Sequence, residues 1–113
     1  MPLFIKHETF TAATATLPVE QRRSHLEAHG QWVEQLRAAG MVISSGFLVN
    51  REGQPGGGGL LVLKAESYDQ ALALVQKDPM IARGLVHWTL EEWRPVAGLP
   101  LIDAPSPAPG RPD

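Results

Sequence analysis

The sequence predicts a single α+β domain built in the order βαββαβ, with a four-stranded antiparallel sheet and two helices on one face. Three observations carry this. Short apolar runs of strand length alternate with two stretches of helical periodicity, start and stop residues stand at the ends of both stretches, and the strand-like runs number four.

Leu3 to Phe10 reads as the first strand, and the small polar stretch Thr11 to Thr16 after it as a flexible loop. The longest element is a helix from Pro18 to Ala39, with Thr16 as cap, Pro18 in the first turn and Gly40 as a left-handed terminator. Met41-Val42-Ile43 and Phe47-Leu48-Val49 flank Ser44-Ser45-Gly46 in a second strand, whose glycine suggests a bulge or a close backbone approach. Asn50 to Gly59 reads as a hairpin loop with a flexible glycine tip, and Leu60 to Leu63 as the third strand. Ser67-Tyr68-Asp69-Gln70 is a capping-box pattern that opens a second helix through Lys77, and Asp78-Pro79 stops it. Leu85 to Trp93 forms the fourth strand. This order is the split βαβ arrangement of ferredoxin-like domains. Five prolines between Pro100 and Pro112 bar a helix or strand there, so the chain divides into a folded domain over residues 1–97 and a disordered tail over 98–113.

Bulk properties exclude several classes of function. A net charge of −2, from ten Lys or Arg against twelve Asp or Glu spread along the chain, gives no electrostatic footprint for nucleic acid. The absence of cysteine removes thiol nucleophiles, thiolate metal sites and disulfides. No apolar run is long enough to cross a bilayer, and Met1 to Lys6 has no signal-peptide character, so the expectation is a cytoplasmic protein without membrane contact. Two helices cover one sheet face only, yet Met41-Val42-Ile43 and Leu60 to Leu63 are apolar on both sides. A second copy of the chain is the simplest cover, which predicts a homodimer through the open sheet face.

The chemistry is expected on the first helix. At about 100° per residue, Val19, Leu26, Trp32, Val33 and Leu36 share one arc, and Arg22, His25 and His29 fall inside it. Polar groups on a core-facing arc need partners, so this half of the helix reads as a pocket wall. Asp78, where the second helix ends, is placed to orient an imidazole and raise its basicity. The plainer readings are core-edge histidines bonded to backbone, a turn-forming Asp78 before proline, and Arg22 in a surface ion pair. The i, i+4 pair His25 and His29 could hold a metal, but no third ligand stands at a meaningful spacing, so no metal site is assigned. Gly56 to Gly59 lacks the Gly-Lys-Ser/Thr sequel and the helix of a phosphate loop, and no cofactor motif occurs. Trp88 and Trp93 stand at odd spacing and must face opposite sides of their strand.

Glu27-Ala28-His29, Leu36 to Gly40, Ser45-Gly46, Asp78-Pro79 and Gly84-Leu85 occur in order and at spacings that resemble the YCII-like family, over the chain from the first helix to about Trp93. The resemblance implies a dimeric α+β barrel with a His and Asp active site, in a family where one kind of member removes chloride from a chlorinated hydroxyhydroquinone. The family histidine precedes the helix-ending glycine by about three turns, which selects His29, with His25 in reserve because Arg22-Arg23-Ser24-His25-Leu26 resembles another form of the motif. Phe47 stands where the family has proline, and Met80 where an aromatic follows Asp-Pro, which implies a pocket of different shape. The expected site is thus His29 and Asp78 as the catalytic pair, with Arg22, His25 and Phe47 contacting a small cyclic or aromatic molecule. Arg22 would suit an anionic group on it. The expected chemistry is cofactor-free elimination, isomerisation or hydrolysis, against the alternative of a non-catalytic ligand-binding or assembly domain that works as a dimer.

Overall fold

A computed structural model of the chain describes residues 1–98. It contains β1 (Leu3–Phe10), α1 (Ala12–Ala15), α2 (Val19–Ala38), β2 (Ile43–Val49), β3 (Pro55–Lys64), α3 (Tyr68–Val75), α4 (Pro79–Ala82) and β4 (Val86–Trp93). The strands form one antiparallel sheet in the order β2-β3-β1-β4. With two single-turn helices added, this is the expected α+β ferredoxin-like architecture. The expected tail over residues 98–113 lies, from residue 99 on, outside the described residues.

Antiparallel register decides which side chains share a face. Ile43, Leu63, Phe4 and Glu92 form one cross-strand row beneath the helices, Ser45, Leu61, Lys6 and Leu90 the next, and Phe47, Gly59, Glu8 and Trp88 a third. Ile43, Leu63 and Phe4 of the first row and Leu61 and Leu90 of the second meet Val33 of α2 and Ala71 and Val75 of α3 in the buried core. Each large apolar side chain enclosed there stabilises the fold by about 1.5–3 kcal/mol relative to exposure. Helix α2 packs over β2, while α3 and α4 pack over β1 and β4. On the opposite face Val42, Leu48, Leu60 and Trp93 are exposed. Trp88 instead packs against the core, so the two tryptophans do face opposite ways.

Several local expectations are corrected. Thr11 to Thr16 is not a loop but contains α1, because the Thr11 side chain caps the Thr14 amide and the buried Thr14 hydroxyl donates to the Leu85 carbonyl at 2.7 Å. Pro18, not Thr16, occupies the cap position of α2, and no side chain caps that end. Gly40 does end the helix in the left-handed region, at φ 91°. The irregularity in β2 falls between Phe47 and Val49, with Gly46 regularly paired to Leu60. The glycine run is part of β3, and the hairpin loop shrinks to Asn50–Gln54, closed by the Asn50 amide on the Gln54 carbonyl at 2.9 Å. Val19 and Leu26, placed on the core arc from periodicity, are exposed, because the buried side of α2 follows Arg22, His25, His29, Trp32, Val33 and Leu36.

Candidate active site

Asp78 ends the segment after α3 and begins α4, with Pro79 at the first helical position. Its carboxylate is fully buried, and its Oδ1 accepts from the Met80 amide at 3.0 Å, so it is the turn residue that spacing suggests. It also does more. Oδ1 lies 2.8 Å from His29 Nδ1, and Oδ2 accepts from Lys6 Nζ at 2.7 Å. Lys6 in turn bonds Glu8 Oε1. On the far side of the imidazole, His29 Nε2 lies 2.8 Å from the exposed Ser45 hydroxyl. Five side chains from β1, α2, β2 and the α3–α4 junction therefore form one hydrogen-bonded chain, Glu8–Lys6–Asp78–His29–Ser45.

The electrostatics fix the direction of the bonds. Burial pushes the Asp78 carboxyl up, but the His29 hydrogen bond and the charge and hydrogen bond of Lys6 more than offset it, so the carboxyl is held below its ordinary value. An ionised Asp78 accepts only, so Nδ1 of His29 carries the hydrogen. Nε2 then faces the Ser45 hydroxyl, which donates to it when the ring is neutral and accepts from it when the ring is protonated. Trp32 packs beside the imidazole with ring centroids 5.9 Å apart. Ser45 also lines a groove of about 210 Å³ between α2 and β2, together with Val33, Glu34, Arg37, Ile43 and Ser44.

The structure brings His29 and Asp78 together, and it disperses the remaining residues singled out in the sequence. Arg22 Nη1 donates to the Ala15 carbonyl at 2.8 Å, tying the start of α2 to α1. His25 Nδ1 lies one turn from His29 and accepts from Arg83 Nη1 at 2.9 Å. Phe47 stands on the helix side of β2, one row beyond Ser45, and is 72% exposed. His25 and His29 thus engage different partners across the seam between α2 and α4. Among the described residues no group of three or more His, Cys, Asp or Glu stands close enough to hold a metal ion, and no helix is long and apolar enough to cross a membrane.

Sequence reasoning missed Lys6 and Glu8, and it named Ser45 only as part of a motif. Lys6 and Glu8 both lie in β1, where Phe4, Lys6, Glu8 and Phe10 share one side but Leu3 and Ile5 make the other side apolar as well. Glycine in β3 makes room for them. A Cβ at Gly59 would sit 3.2 Å from Glu8 Cγ and 3.4 Å from the Gly46 carbonyl oxygen, and one at Gly57, whose φ is 81°, would meet the Phe10 ring at 3.0 Å.

Comparison with known proteins places this arrangement in context. The profile described as YCII-related domain matches residues 3–94. Among solved structures, 5-chloro-2-hydroxyhydroquinone dehydrochlorinase from Burkholderia phenoliruptrix AC1100, in complex with 2,5-dihydroxybenzoquinone, superposes with a TM-score of 0.63. It is 23% identical, and the alignment covers 81% of this chain and 93% of that one, a likeness of fold. No curated protein matches the chain.

Proposed function

Because the chain belongs to the YCII-related domain family, and because its most completely bonded polar groups converge on one imidazole, we propose that it is a small-molecule enzyme in which His29, oriented by Asp78, performs general acid–base chemistry. The observation that carries this reading is the 2.8 Å contact of His29 Nδ1 with a buried carboxylate, together with the 2.8 Å contact of Nε2 with an exposed hydroxyl. Asp78 fixes the tautomer and stabilises the imidazolium that forms when Nε2 takes a proton. Ser45 connects Nε2 to the groove, so a substrate proton moves to the Ser45 oxygen as the Ser45 proton moves to the ring. The reverse transfer returns it to the substrate. Elimination, isomerisation and hydrolysis all need such a reversible proton carrier and no cofactor.

The substrate class proposed is a small cyclic or aromatic molecule. The dehydrochlorinase of similar fold acts on a chlorinated hydroxyhydroquinone, and exposed Phe47 and half-buried Trp88 offer aromatic surfaces beside the polar chain. Activity screening should cover chlorinated hydroxyquinols, lactones and cyclic enols, read by chloride release, absorbance and solvent deuterium uptake. Turnover by the wild type that disappears in His29→Ala supports the proposal, whereas undiminished turnover in that variant rejects it.

The working form proposed is a cytoplasmic homodimer joined through the open sheet face, where exposed Val42, Leu48, Leu60 and Trp93 form the apolar surface that a second copy covers. Sedimentation at micromolar concentration should give the mass of two chains. A monomer under those conditions would reject this part of the reading.

A further inference from the structure

The buried network ends at a hydroxyl that the proton-carrier reading uses only as a relay. Asp78 Oδ1 lies 2.8 Å from His29 Nδ1, and His29 Nε2 lies 2.8 Å from Ser45 Oγ. The carboxylate is enclosed, the imidazole side chain is 15% exposed, and Ser45 is exposed. Carboxylate, imidazole and hydroxyl thus follow one another in the order, and within the reach of about 2.6–3.2 Å, by which a serine is activated as a nucleophile.

The backbone supplies a donor for the charge that develops on an attacked carbonyl. The Lys64 amide donates to the Val42 carbonyl at 3.0 Å, one step before the pair Ile43 and Leu63 in the same register. Bonded and non-bonded pairs alternate in an antiparallel ladder, so Ser44 and Gly46 turn their peptide groups toward β3, and Ser45 turns its own amide away from it. Because β2 is an edge strand, no backbone carbonyl among the described residues accepts from that amide. The amide of the candidate nucleophile is therefore open to an oxyanion.

The surroundings of Ser45 indicate the acyl group. It lines the groove of about 210 Å³, which is smaller than the roughly 300–1,000 Å³ of pockets for drug-sized ligands. The two charged residues in that groove, Arg37 and Glu34, bond each other at 3.0 Å and leave it without net charge. Phe47, two residues along β2 and on the same side as Ser45, presents an exposed ring for an aromatic leaving group.

We infer that Ser45 is a catalytic nucleophile, and that the protein hydrolyses small neutral esters, aryl esters among them, through an acyl-serine. The inference rests on His29 as base and goes beyond it by adding a covalent intermediate. Ser45 Oγ bonds to the acyl carbon as its proton passes to His29 Nε2, and the carbonyl electron pair moves to the oxygen that faces the Ser45 amide. Collapse of this adduct breaks the ester C–O bond, and the leaving oxygen departs with the proton from His29. Water then gives a proton to His29 and attacks the acyl-serine, which releases the acid and restores Ser45. Asp78, held ionised, stabilises the imidazolium in both steps. One ester and one water give one acid and one alcohol or phenol.

The test follows a covalent bond as well as turnover. The probes are 4-nitrophenyl acetate and phenylmethylsulfonyl fluoride, read by nitrophenolate absorbance, intact mass and peptide mapping. The wild type should release nitrophenolate and accumulate about one sulfonyl group per chain, on Ser45. Ser45→Ala, at an exposed position, should lose both. His29→Ala and Asp78→Asn should each slow labelling of Ser45 by about 10²–10⁴. Ser45→Cys should restore a nucleophile whose acylation depends on His29, which a merely structural Ser45 would not do. No label on the wild type, a label on another residue, or labelling undiminished in His29→Ala would overturn the inference. Release that needs His29 but survives in Ser45→Ala would also overturn it, while leaving the acid–base reading in place.

Discussion

Replacing Lys6 with methionine removes an enclosed cation that bonds two carboxylates, Glu8 and Asp78. Methionine approximates the length of the lysine stem, so packing against the sheet is largely kept and the loss is electrostatic. In the native protein Lys6 Nζ sits 2.7 Å from Asp78 Oδ2 and bonds Glu8, and both its own side chain and that of Asp78 are almost wholly enclosed. Breaking a buried ion pair by removing one partner costs about 3–5 kcal/mol, against a total stability on the order of 5–15 kcal/mol. At about 4 °C per kcal/mol for a domain of this size, the midpoint of thermal unfolding should fall by about 12–20 °C at pH 7. The sign of the pH dependence is also fixed. Without Lys6 the buried carboxylates are driven toward their protonated forms, so the folded variant binds more protons than the unfolded chain, and its deficit relative to wild type shrinks as pH falls from 7 toward about 5. Urea titrations at several pH values read both quantities. Adding Glu8→Gln to Lys6→Met removes one stranded charge and should recover part of the loss. A deficit below about 1 kcal/mol at pH 7, or one independent of pH, would refute the claim that Lys6 compensates buried charge.

The other consequences concern Asp78 and the glycines. Asp78 has its carboxyl held below the ordinary value, so it contributes stability above the unfolded pKa that is lost as pH falls through the lower folded one. Asp78→Asn should therefore flatten the acid limb of the stability curve, as measured by urea midpoints below pH 5 or so. Gly59→Ala should cost about 1–3 kcal/mol, because its methyl meets Glu8 Cγ at 3.2 Å and the Gly46 carbonyl at 3.4 Å. By contrast, Gly30 lies within α2 with nothing inside 4 Å of an added Cβ, so Gly30→Ala should raise stability by about 0.5–1 kcal/mol.

The legibility of this molecule in its sequence follows the range of the interactions involved. Element order, the Ser67 cap of α3 and the Gly40 stop are set by neighbours within a few residues, and local patterns predict them. His29 stood out together with Arg22 and His25 as a polar residue on a core-facing arc, Asp78 fitted an ordinary turn equally well, and it was the resemblance to the YCII-like family that selected the pair. Lys6 and Glu8 escaped notice because β1 has Leu3 and Ile5 on one side and Phe4 and Phe10 on the other, so alternation alone does not tell which side meets the helices. Their burial is legible only once Asp78 arrives from 72 residues away. Glycine 56 to 59 looked like a loop because strand propensity is read from side chains, and what holds those residues in β3 is pairing with β1 and β2. Val19 and Leu26 misled the helical wheel for a related reason. The N-terminal half of α2 turns its polar side chains inward, with His25 on Arg83 and His29 on Asp78, and leaves those two apolar ones outside.

The central claim is that His29 and Asp78 act as one proton-transfer unit, and a double-mutant cycle on turnover tests it most directly once screening supplies a substrate. His29→Ala and Asp78→Asn, each checked for retained fold by circular dichroism, should each lower kcat/KM by about 10²–10⁴. If the two groups act as a unit, the double variant should be scarcely slower than the weaker single variant. Losses that instead multiply in the double variant would contradict the account, because they would show two residues contributing independently.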